Sequence, residues 1–120
     1  MPLKSLLGLT SVAKPLTSEE GRRILERDHY CCQYCGFDGL SNFENSLIMT
    51  VDFVQPRAHK GKKVSDNLVT ACRPCNVIKG RRVFSSFNEA KKYVLQRRAE
   101  LRKDWEAKTE RLHSTAASAI

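Results

Sequence analysis

Four cysteines stand in two matching spacings, Cys32-Gln33-Tyr34-Cys35 and Cys72-Arg73-Pro74-Cys75. A CxxC knuckle presents two thiolates from one tight turn, whose backbone N–H groups can hydrogen-bond to the sulfurs. Two such knuckles complete a tetrahedral shell of four sulfurs, which suits Zn2+ and leaves no open position for chemistry. The expected role is a structural staple; two disulfides or spare buried thiols are the competing use of the same residues. The leucine-bearing N-terminus shows no secretory cleavage pattern, so the expected compartment is the cytoplasm, where cysteines serve as ligands more often than as disulfides. Cys31 is adjacent to Cys32, which makes joint ligation awkward, and it is expected to act as a small buried hydrophobe.

Charge narrows the partner. The 120 residues carry 21 Lys+Arg against 13 Asp+Glu, a net charge of +8. That excess suits a polyanion, either nucleic acid or an anionic membrane surface. No stretch approaches the roughly 18–20 apolar residues of a spanning helix, so nucleic acid is the expected partner and no membrane role is expected. Arg57, Lys60, Lys62 and Lys63 crowd one loop, and Arg73, Lys79, Arg81 and Arg82 cluster around the second knuckle. If zinc joins the two segments, these eight cations form one patch that neutralises phosphates without reading sequence.

The elements that must position these groups follow from local pattern. Residues 1–16 read as a loosely ordered arm, free to pack back on the domain. Thr17 to Glu20 is a capping box that opens a helix ending near Asp28. Leu47–Val54 is apolar and β-branched, a strand, and LVTAC is a second short strand. In the first strand the two-residue period sets Leu47, Met49, Val51 and Phe53 on one face and Asp52 on the other. The second knuckle runs into a short helix closed by Gly80. Ser86 to Glu89 is another capping box, opening a long helix with Phe87, Ala90, Val94, Leu101, Trp105 and Leu112 at helical spacing. That helix is expected over 84–113, with a frayed tail over 114–120. Its mixed charges are partly self-paired, and its apolar stripe packs either on the domain or on a partner, including a second copy.

The run LIMTVDFVQPRAHKG, then SDNLVTACRPCNVIKGRR, preceded by RRILERDHYCCQYCG, resembles the HNH endonuclease family, the ββα-metal or His-Me finger nucleases, in a four-cysteine zinc-containing subtype. The likeness covers about 17–83. It implies an α+β fold: a small ββα-metal finger with a four-cysteine zinc site, an N-terminal helix and a long C-terminal helix. It also implies roles. Asp52 matches the carboxylate that holds the catalytic divalent metal, Mg2+ or Mn2+. Asn76 matches the second metal ligand, and Asn67 matches the middle Asn that braces the loop and the general base. Lys79 and the arginines behind it lie where the family meets phosphate.

One position departs from the family. Where it has Asp-His, with the His as general base, this chain has Asp52-Phe53. A phenyl ring accepts no proton, and general-base catalysis contributes about 10^2–10^4-fold. His59, in the loop beyond, is the candidate replacement base, against an ordinary loop histidine beside a basic patch. His29 reads as a structural residue and His113 as unspecialised. Three functions follow: a metal-dependent endonuclease, with DNA the first-choice substrate, impaired by Phe53; a catalytically silent DNA-binding module on the same scaffold; or a zinc-ribbon domain that binds protein through the long helix.

Overall fold

The computed structural model describes residues 14–118. Most of the expected arm over 1–16 lies outside them, as do the last two residues of the expected tail. Helix α1 spans Ser18–Arg27. Its start is dictated by Thr17, whose hydroxyl accepts from Glu20 N at 3.1 Å while the Glu20 carboxylate accepts from Thr17 N at 2.8 Å. Such a cap contributes about 1 kcal/mol. Asp28 closes the helix and anchors it. Its carboxylate accepts from Thr70 N at 2.9 Å on the second strand, and Arg27 reaches Leu68 O at 2.7 Å.

The first knuckle follows, and then a short helix that the sequence pattern does not reveal. This is α2, Phe43–Leu47, capped by the Asn42 side chain on Asn45 N at 2.8 Å. Leu47 therefore ends a helix instead of opening a strand, and it stays exposed. Strand β1 is Met49–Phe53 and β2 is Leu68–Cys72; they pair antiparallel with Asp52 opposite Val69 and Met49 opposite Cys72. Two 3-10 turns, Arg57–His59 and Ser65–Asn67, occupy the connection.

The face expected to form the core is reversed in part. Met49 is buried, but Val51 and Phe53 are only half-buried, while Asp52 on the other face is buried. The reason is that helix α3, Arg73–Lys79, packs on the Asp52 side, with Pro74 in its first turn and Gly80 at its C-cap in a positive-φ conformation. Gly61 makes a second backbone demand: a Cβ there would lie 1.6 Å from Gln55 O, so the basic loop closes against the end of β1 only with glycine.

Helix α4, Phe87–Ser118, is capped by the Ser86 hydroxyl on Glu89 N at 3.1 Å. It continues past residue 113, into the segment where the sequence predicts a frayed tail. Its buried residues lie in its first turns. Ala90 and Val94 have no exposed surface, and Phe87 lies against the Tyr34 ring with centroids 5.1 Å apart. Farther on, Leu101, Trp105 and Leu112 are exposed, and the molecule measures 73 × 30 × 24 Å. This is a small α+β fold with one two-stranded sheet, held between α1 and the α3–α4 pair.

Candidate functional site

The first site is the cysteine cluster. Cys32 and Cys35 come from the first knuckle, Cys72 from the end of β2 and Cys75 from α3. Their four Sγ atoms lie within 4.8 Å of one another, and Cys35 Sγ is 3.7 Å from Cys72 Sγ. Zn–S bonds of about 2.3 Å in a tetrahedron require sulfurs about 3.8 Å apart, so the donor set fits a zinc ion. All five cysteines are free of disulfides. Cys35 N donates to Cys32 Sγ at 3.4 Å, the N–H···S bond of the knuckle turn. The Cys32 thiol is held far below its ordinary range by hydrogen bonds from Cys72 and Cys75, which outweigh its burial. A cation takes over that negative charge readily, because ligation requires thiolates. Cys31 stays outside the cluster, partly buried, with its thiol pointing to Gly36 O at 3.6 Å.

One contact to the cluster comes from outside the knuckles. Arg98, one turn after the buried Val94 on α4, donates to Cys75 Sγ at 3.7 Å. It carries no motif; its only sequence signal is the helical register it shares with Val94.

The second site is a cleft of about 410 Å3 between β1, the basic loop and α3. Asp52, Phe53, Arg57, Asn76 and Arg81 are among its lining residues. Within it, Asp52 is 4% exposed and its two carboxylate oxygens are both engaged. Oδ1 lies 3.3 Å from Lys79 Nζ, and Oδ2 accepts from the Tyr34 hydroxyl at 2.5 Å. Lys79 also donates to Phe53 O at 2.9 Å and has no exposed surface. Burial pushes the Asp52 carboxyl above its usual range, and Lys79 and Tyr34 pull it back without cancelling that rise. Asn76 donates Nδ2 to Thr50 Oγ1 at 3.0 Å. Asp52 and Asn76 thus share one cleft, but a buried ammonium and a phenol already satisfy the carboxylate. As arranged, this set does not fit a divalent cation.

Phe53 is half-buried, with the Arg57 guanidinium 6.0 Å from its ring centroid. His59 is exposed on the first 3-10 turn and does not line the cleft. Asn67 sits behind the loop. Its Oδ1 accepts from Gln55 N at 2.7 Å, and its Nδ2 donates to Gln55 O at 3.1 Å and Lys62 O at 3.0 Å. Tyr34 gives no sequence signal of its own, because it sits inside a CxxC, where a spacer residue is expected to be unremarkable.

The eight candidate phosphate contacts do not form one uniform patch. Lys60, Lys62, Arg73 and Arg81 are exposed, and Arg57 and Arg81 flank the cleft. Lys63 pairs with Glu20 at 2.8 Å, and Arg82 stacks on Tyr93 at 4.8 Å. Lys79, expected at the phosphate surface, is inside, because its position on α3 faces β1 and the Asp52 carboxylate draws it in. Among the described residues no helix is long and apolar enough to cross a membrane.

Residues 32–82 match the family model of the HNH endonuclease. That span contains both knuckles, the β1–β2 hairpin and α3, so it takes in every group of the cleft and the cysteine cluster with the exception of Arg98. No curated protein and no solved structure matches the chain.

Proposed function

We propose that this domain, in its HNH-type portion, engages the phosphodiester backbone of nucleic acid, DNA first, as a nuclease scaffold whose hydrolytic step is close to silent and whose principal activity is binding. The observation that carries the reading is the content of the cleft. Two guanidiniums, Arg57 and Arg81, stand at its edge, while within it a phenyl ring occupies the position of the base and a lysine occupies the carboxylate. Guanidiniums recognise phosphate in a bidentate fork, and the exposed Lys60, Lys62 and Arg73 extend the cationic surface. Zinc at the four cysteines holds the hairpin to α3 and so keeps both walls of the cleft together, as befits a compartment that keeps thiols reduced, such as the cytoplasm.

A metal-dependent endonuclease with working turnover is the second reading. It is favoured by Asp52 and Asn76 lining the same cleft. Supercoiled plasmid incubated with the zinc-loaded protein and Mg2+ or Mn2+, followed by gel electrophoresis, separates the two. Retardation without nicking is the expected result. Nicking that Asp52→Ala removes establishes the endonuclease, and failure to retain any DNA overturns both.

A further inference from the structure

Asp52 is a carboxylate buried to 4% exposure beside a cleft. Three elements converge on it. β1 supplies Asp52, the first knuckle supplies Tyr34, and α3 supplies Lys79. The exposures of Lys79 and Asp52 are 0% and 4%. An ion pair that deep needs further hydrogen bonds, and each partner has one here, Lys79 to Phe53 O and Asp52 from the Tyr34 hydroxyl. Asn76 lies three residues before Lys79 on the same helix, and it spends its amide nitrogen on Thr50. Its amide oxygen is the group it can offer a cation.

We propose that Lys79 is a tethered counter-ion that closes a divalent-cation site formed by Asp52 and Asn76, so that the site accepts a hard dication only when the lysine charge is removed. The proposal rests on the reading of this cleft given above and deepens it. Mg2+ and Mn2+ take oxygen ligands at short range, about 2.0–2.1 Å for Mg2+. A dication bound to Asp52 Oδ1 would lie within reach of the Lys79 ammonium, and the two positive charges repel strongly in a site with little water. The ammonium therefore competes directly for the carboxylate. It holds two advantages: its covalent tether, and a second acceptor in Phe53 O. The same arrangement accounts for a cleft that keeps its acidic residue yet presents a net cationic face to phosphate.

The test is Mn2+ titration of the zinc-loaded full chain, read by the electron paramagnetic resonance signal of free Mn2+. Wild type is expected to leave the signal undiminished. Lys79→Gln keeps most of the side-chain length and a donor for Phe53 O, and is expected to take up one equivalent, roughly tenfold or more tighter given the removed repulsion. Asp52→Asn in the Lys79→Gln background is expected to lose that uptake. Two results overturn the proposal: wild type binding one Mn2+ that Asp52→Asn abolishes, or Lys79→Gln remaining blind to Mn2+ with zinc content and helical circular dichroism intact. If Lys79→Gln fails to fold, Lys79→Ser carries the same test, and the same two results decide it. Plasmid retention by these proteins reports separately on the nucleic-acid reading, so failure of one does not mimic failure of the other.

Discussion

Arg98 of the long helix donates to Cys75 Sγ at 3.7 Å, across a sequence separation of 23 residues. The guanidinium is a charged α4 group that hydrogen-bonds to a cluster sulfur, and four thiolates around Zn2+ would leave a net negative centre for it to balance. Outer partners of this kind typically contribute 10–100-fold in metal affinity.

Arg98→Gln is therefore expected to weaken zinc binding by roughly tenfold, measured by competition with a chromophoric chelator. Stripping zinc from wild type is expected to release α4 from the domain and lower the thermal midpoint. Unchanged zinc affinity in Arg98→Gln would remove this coupling.

Arg81 is exposed at the rim of the cleft. Arg81→Ala is expected to weaken DNA binding across sequences alike and to reduce the slope of log K against log salt by about 1. Fluorescence anisotropy between about 50 and 200 mM salt measures it. A slope equal to that of wild type places the phosphate contact elsewhere.

If Lys79 closes the cation site as proposed, placing a base beside it is expected to achieve nothing by itself. Phe53→His is expected to leave plasmid uncut with Mg2+, whereas Phe53→His combined with Lys79→Gln is expected to nick it, gaining up to about 10^2–10^4-fold from the base. Cutting by Phe53→His alone would show that Lys79 is no barrier.

Two backbone demands hold the basic loop. Asn67→Ala strips three hydrogen bonds from it, an expected loss of about 1–3 kcal/mol. Gly61→Ala sets a methyl against Gln55 O, with an expected loss of about 1–3 kcal/mol or more. Urea denaturation measures both, and a midpoint unmoved in either variant would show that the loop is not anchored where the structure has it.

The Glu20 carboxyl is lowered from 4.5 to about 2, first by the hydrogen bond from Lys63 and then by that from Thr17 N. A depressed native value means a stabilisation present above the unfolded value and lost as pH falls toward the native one. The stability difference between wild type and Glu20→Gln is thus expected to be full above about pH 4.5 and to shrink toward pH 2. Denaturation at stepped pH reads it, and a difference constant over that window would rule the linkage out.

Both capped helices, the second strand and the cysteine shell are legible in the sequence, because Thr17–Glu20, Ser86–Glu89, LVTAC and the paired CxxC spacings each carry their cause locally. What escapes depends on neighbours distant in the chain. Alternation along β1 sets Asp52 opposite the apolar positions correctly, but it does not say that α3 covers that face. Lys79 reads as one of a run of surface cations until β1 supplies its partner. Tyr34 is hidden by the motif that contains it, and Arg98 by the many other charges on α4. Helix α2 carries one apolar pair at helical spacing, Phe43 and Leu47, too short a signal to mark a helix, and both residues stay exposed.

The unsupported length of α4 has a practical consequence for sizing the protein. A compact chain of about 100 residues has a radius of gyration near 13 Å, whereas this one measures 18.6 Å. It will drag through solvent like a larger particle, and a gel-filtration column calibrated with spheres will overstate its mass. Light scattering or sedimentation equilibrium, which weigh the particle without reference to its outline, are the methods that can count its subunits.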